Sequence, residues 1–100
     1  MAQSERIERT ALRNLVFNEE YTRRVIPFIR KEYFEDRAER TIFEEIQKFV
    51  TEYNKNPTRE TLEIDLQKRK DLNETEYNRI VDVIKKYVTN DLYKILTICI

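Results

Sequence analysis

The sequence predicts an all-α fold, a compact irregular bundle of about five helices. Apolar residues recur at three- and four-residue steps along most of the chain, residues suited to capping stand ahead of those stripes, and no segment requires a strand. One hundred residues support one domain with a single modest core, so residues 1–100 are read as one helical domain.

Ser4 is placed to cap a first helix whose inner residues are Ile7, Ala11, Leu12, Leu15, Val16 and Phe17, with Arg6, Glu8, Arg9 and Arg13 outside. Asn18 is the cap of a short second helix. It carries Tyr21, Val25 and Ile26 inward, and Glu19 and Glu20 lie at its positive end. Pro27 must end or kink that helix, because it lacks a backbone donor and disfavours helix at the residue before it. Phe28 and Ile29 continue the apolar surface into a turn around Arg30 to Tyr33.

The stretch from Tyr33 to Tyr53 organises the rest. Its centre, Ala38, Ile42, Phe43, Ile46, Phe49, Val50 and Tyr53, lays one apolar stripe on a helix from about Asp36 to Tyr53. Glu39, Arg40, Glu44, Glu45, Gln47, Lys48 and Glu52 are expected on the other faces. Burying Ile42, Phe43, Ile46 and Phe49 contributes roughly 1.5 to 3 kcal/mol each before entropy is subtracted, so serine at Phe43 or Phe49 should unfold so small a domain. Asn54 to Pro57 ends this helix, asparagine being the residue after glycine best suited to a left-handed cap.

Thr58 caps a fourth helix running to about Lys70, with Leu62, Leu66 and Ile64 as inward candidates. Leu62, Ile64 and Leu66 also alternate with period two, which keeps a strand open as an alternative, although Arg59, Glu60, Gln67, Lys68 and Arg69 favour helix on both sides. Asn73 followed by Glu76 has the form of a capping box. Behind it, Tyr77, Ile80, Val81, Ile84, Tyr87 and Val88 form the cleanest helical stripe in the chain. The expected core is therefore centred on Leu15, Ile42, Phe43, Ile46, Phe49, Ile80 and Ile84.

Composition excludes much chemistry. Glycine is absent, which removes every glycine-rich phosphate loop, and histidine is absent, which with the single Cys99 removes disulfide frameworks, Cys/His zinc sites and Cys-His catalysis within one chain. No cofactor is expected. Serine occurs only as Ser4, so a serine nucleophile has no setting. The carboxylate pairs Glu19–Glu20, Glu44–Glu45 and Glu74–Glu76 are read as solvated helix faces and helix-end charges, and not as an acid and base pair. A polar start without an apolar run, and no span-length apolar segment, give the expectation of a cytoplasmic protein that meets no membrane.

Nineteen basic and nineteen acidic residues balance, in each half as in the whole, which argues against a general basic face for nucleic acid. The local candidates for phosphate are Arg23–Arg24, Lys68-Arg69-Lys70 and Lys85–Lys86, each with acids close by and each better read as a solvated face. Tyr21, Tyr53, Tyr77 and Tyr87 fall on inward stripes, as core-edge residues whose hydroxyls reach water. A helix-turn-helix around Asn54 to Thr58 is a weaker reading, because Arg59 to Arg69 makes a poor recognition helix. Leu92, Tyr93, Ile95, Leu96, Ile98 and Ile100 form a tail too apolar for water. It either folds back on the bundle or meets a partner.

The order of features from Leu12 to about Tyr87 resembles the N-terminal domain of DnaB-type replicative helicases of T-even-like phages. The residues that carry the resemblance are Leu12-Arg13-Asn14-Leu15-Val16-Phe17, Glu20-Tyr21, Val25-Ile26-Pro27-Phe28, Glu32-Tyr33-Phe34-Glu35, Thr41-Ile42-Phe43, Glu52-Tyr53, Asn56-Pro57-Thr58 and Glu74-Thr75-Glu76-Tyr77. The resemblance implies a non-catalytic domain that forms the collar of a helicase ring by self-association and docks primase and other primosome proteins, in the host cytoplasm. The ATPase motor, with its P-loop, would be a separate domain absent from these residues, and DNA would be contacted only indirectly. The alternatives are a free-standing phage regulator of a helicase ring and a small helix-turn-helix DNA-binding protein.

Overall fold

The computed structural model describes residues 7–88 of the chain. Five α-helices and one short 3-10 turn make up the described residues: α1 Ile7–Phe17, α2 Glu19–Val25, the 3-10 turn Lys31–Tyr33, α3 Arg37–Tyr53, α4 Arg59–Gln67 and α5 Glu74–Tyr87. The all-α expectation holds, and the strand alternative at Leu62 to Leu66 does not. The proposed cap at Ser4 and the tail from Leu92 to Ile100 lie outside the described residues.

Local hydrogen-bond chemistry fixes the helix ends. Asn18 accepts from the Tyr21 amide, Thr58 from the Thr61 amide and Asn73 from the Glu76 amide, and the Glu76 carboxylate reaches back to the Asn73 amide to complete a capping box. α2 stops at Val25 because Pro27 has no amide to continue the ladder. α3 stops at Asn54, whose φ of 57° is the one left-handed non-glycine residue among those described. α4 ends at Gln67, short of the expected Lys70, where the Lys68 and Arg69 amides tighten onto the Asp65 and Leu66 carbonyls.

α3 is the spine: α1, α4, α5 and the 3-10 turn all pack on it, while α2 packs on α1. Leu12, Leu15, Ile42, Phe43, Ile46, Leu62, Leu66, Ile80, Ile84 and Val88 fill the space between them. Each large side chain contributes roughly 1.5 to 3 kcal/mol against conformational entropy. Thr22 is buried where α2 meets α1, and its hydroxyl donates to the Leu15 carbonyl at 3.1 Å, closing the α1–α2 corner.

Several expected core positions are corrected. Phe49 is only half-buried and leans on the Tyr53 ring, centroids 4.6 Å apart, while its neighbour Val50 is the residue of this last stretch of α3 that packs against the core. Ile64 is 53% exposed, since Leu62 and Leu66 share one face of α4 and a residue midway between them points to the opposite side. Ile7 and Phe17, at the two ends of α1, are exposed as well. In their place Phe34, in the connection before α3, is 2% exposed and stacks on Phe43 at 5.0 Å. Tyr77 is another correction, because its hydroxyl donates to the Glu63 carbonyl and ties α5 to α4.

Candidate functional site

The charged residues divide into those that hold helices together and those that lie in solvent. Glu39 and Glu45, expected on the outer faces of α3, are instead buried at 0% and 4% exposure. Burial of a carboxylate is costly without a cation beside it, and each has an arginine. Arg9 of α1 reaches Glu39 at 3.0 Å, and its guanidinium lies 3.8 Å from the centroid of the Tyr87 ring, so one side chain links α1, α3 and α5. Periodicity places Glu39 only within its own helix. It carries no sign of an arginine thirty positions away.

Arg69, in the α4–α5 connection, bonds Glu45 at 3.0 Å, Glu44 at 3.2 Å and Asp71 at 2.7 Å. These bonds raise the already high Arg69 pKa, the hydrogen bond to Asp71 contributing most, against the opposing effect of burial. The Arg69 hydrogen bond in turn lowers the Asp71 carboxyl to about 2, desolvation resisting and the Arg69 charge adding to the shift. Arg69 is thus committed to the fold and is not a phosphate contact, and Glu44–Glu45 serve as its counter-charges.

The other basic candidates fall on solvated helix faces. Arg24 bonds Glu20 at 3.0 Å, Arg23 lies 3.9 Å from Glu19 and Lys86 lies 3.6 Å from Asp82, all exposed pairs one helical turn apart that stabilise little. Glu76 is taken up by the α5 cap and by Arg37 at 3.5 Å. α4 exposes Glu60, Ile64 and Gln67, a face without a cation for reading bases. Arg59 Nε is buried without a hydrogen-bond partner, and nothing in the structure explains it. Among the described residues no group of three or more Cys, Asp and Glu side chains is placed to hold a metal ion, and no helix is long and apolar enough to cross a membrane. A cleft of about 290 Å³ between α4 and α5 is lined by Leu66, Leu72 and Tyr77 with Arg69 and Asn73, and both of those polar groups are already engaged.

The distinctive surface is the connection between α2 and α3. Phe28 is 75% exposed and Tyr33 57%, while their neighbours Ile29 and Phe34 turn inward onto the core. Arg40 of α3 holds the backbone of this connection, its Nε donating to the Phe34 carbonyl and its Nη2 to the Glu35 carbonyl, both at 3.2 Å. The reading that Phe28 simply continues the inner surface is therefore corrected. The turn that Pro27 forces sends Phe28 outward and Ile29 inward. Tyr53, expected at the core edge, is exposed, whereas Tyr21 and Tyr77 are half-buried and Tyr87 lies under Arg9. Of the residues named as a partner interface, Leu92, Tyr93, Ile95, Leu96, Ile98 and Ile100, all lie outside the described residues.

These features define a small all-α fold whose buried charges serve its packing and whose braced α2–α3 connection leaves Phe28 and Tyr33 exposed. The chain belongs to the DnaB-like helicase N-terminal domain family, which matches residues 1–96. No curated protein matches it significantly. In this family the N-terminal domain is the non-catalytic part of the helicase.

Proposed function

We propose that the chain is the assembly domain of a phage replicative DNA helicase, which self-associates in the helicase ring and docks primase or other primosome proteins. The family match over residues 1–96 is the observation that carries this reading. The runs Leu12 to Phe17, Val25 to Phe28 and Glu32 to Glu35 support the phage source, and with it a site of action in the host cytoplasm. Residues 1–100 form one domain on this reading, and ATP hydrolysis belongs to a motor domain with the glycine-rich phosphate loop that a glycine-free sequence cannot form. DNA is engaged by the assembled helicase and not by this domain, in keeping with its balanced charge. The apolar tail Leu92, Tyr93, Ile95, Leu96, Ile98 and Ile100 is a contact for a neighbouring subunit or for primase.

Light scattering over a range of concentrations, followed by titration with the cognate primase, tests this reading. Growth of oligomers with concentration and saturable primase binding are expected. A strict monomer that ignores primase would overturn it, and tight salt-dependent binding to a DNA duplex would favour a DNA-binding protein instead.

A further inference from the structure

We infer that Arg9 is a clasp that makes the start of α1 and the end of α5 open and close as one unit, so that a displacement of the chain at Tyr87 is transmitted to α1. The clasp is independent of the assembly reading above. Little apolar packing holds the first turn of α1: Ile7 is 84% exposed, residues 8–11 are only partly buried or at the rim, and Leu12 is the first core residue of the helix. At the other end Lys85 and Lys86 are exposed, Tyr87 is half-buried, and Val88 is the only core residue after Ile84 among those described. The two ends share one side chain.

Arg9 Nε donates to the Glu39 carboxylate at 3.0 Å, and its guanidinium carbon lies 3.8 Å from the centroid of the Tyr87 ring. Glu39 is fully buried, so loss of the Arg9 bond takes a counter-charge from a carboxylate held away from water, and the bond therefore fixes the guanidinium in place. Fixed there, Arg9 offers Tyr87 a partly desolvated cation that is already ordered. The dependence runs both ways. When Tyr87 moves away, water gains access to the Arg9–Glu39 pair and weakens it by raising the local dielectric. When the first turn of α1 frays, the Tyr87 ring loses its cation. α3 supplies the carboxylate and stays in place, since Ile42, Phe43 and Ile46 are fully buried. Local units that open together below the level of global unfolding are a general property of folded chains, and here one side chain is the joint.

Hydrogen exchange on the full chain provides the test. It is read at the amides of Ala11, Leu12 and Arg13, which bond back to the first turn of α1, and at Val88, whose amide donates to the Ile84 carbonyl at 2.9 Å. Tyr87→Leu keeps apolar bulk and removes the ring face. It should speed exchange at the three α1 amides roughly threefold to tenfold, while the amides of Arg23 and Arg24 in α2, which does not touch the clasp, keep their wild-type rates. Tyr87→Phe keeps the ring face and should match the wild type. In the other direction, Arg9→Lys keeps a charge for Glu39 without the planar guanidinium and should speed exchange at Val88 by a similar factor. The clasp is overturned if Tyr87→Leu leaves the α1 amides at their wild-type rates, if Tyr87→Phe behaves like Tyr87→Leu, or if the α2 amides accelerate as much as those of α1. None of these results bears on the assembly reading, which light scattering and primase titration decide.

Discussion

Tyr33 and Phe34 are neighbours in sequence and opposite in role. Phe34 is stacked on Phe43 inside the core, and Tyr33, one residue earlier, stands in solvent with Phe28. The same contrast runs through the α2–α3 connection: Ile29 and Phe34 pack on the core, and Phe28 and Tyr33 are left in solvent. A short connection can therefore bury one side chain and expose the next when its backbone is held, as Arg40 holds this one.

Alanine at the two positions should separate the roles most sharply. Phe34→Ala is expected to cost about 3 to 5 kcal/mol, from lost burial and the cavity left against Phe43. Tyr33→Ala is expected to stay within about 0.5 kcal/mol of wild type. Urea unfolding of the two variants measures both, and similar losses would erase the distinction between the faces.

The next effect concerns a charge inside the bundle. Arg9→Ala removes the guanidinium from the fully buried Glu39 and the cation from the Tyr87 face, and is expected to cost about 3 kcal/mol. Arg23→Ala, which opens only an exposed pair, should cost under about 0.5 kcal/mol. Equal effects would mean that Glu39 does not depend on Arg9.

The smallest effect is read by pH. The Asp71 carboxyl is depressed in the folded chain, so its bond to Arg69 stabilises the protein at pH values above the ordinary carboxylate range. That contribution fades as pH falls toward about 2. Asp71→Asn should therefore be slightly less stable than wild type at neutral pH, and the gap should close between about pH 4 and pH 2. Asp71 lies at the surface, so the gap is small, and thermal melts of both proteins across that range follow it. A gap that persists at pH 2 would assign the loss to something other than the ion pair.

What could be read from the sequence follows the range of the interactions. The caps at Asn18, Thr58 and Asn73 and the left-handed stop at Asn54 are set by bonds a few residues long, and all four are legible in the sequence. The core members Leu15, Ile42, Phe43, Ile46, Ile80 and Ile84 follow from helical periodicity. Phe34 belongs to no periodic stripe, and the burial of Glu39 and Glu45 depends on arginines 30 and 24 positions away, so neither shows in a local pattern. Phe49 keeps the period of the α3 stripe, yet Val50 and not Phe49 packs against the core there, and which of two adjacent apolar residues turns inward at a helix end is not written in periodicity. The outward turn of Phe28 and Tyr33 escapes for the same reason as the inward turn of Phe34. Irregular connections have no period to read.

The proposed assembly role is tested most directly by sedimentation velocity of the wild-type chain over a wide concentration range, with and without cognate primase. A sedimentation coefficient that rises with concentration, and rises again when primase is added, is the predicted result. A single monomeric boundary at every concentration, unchanged by primase, would contradict it.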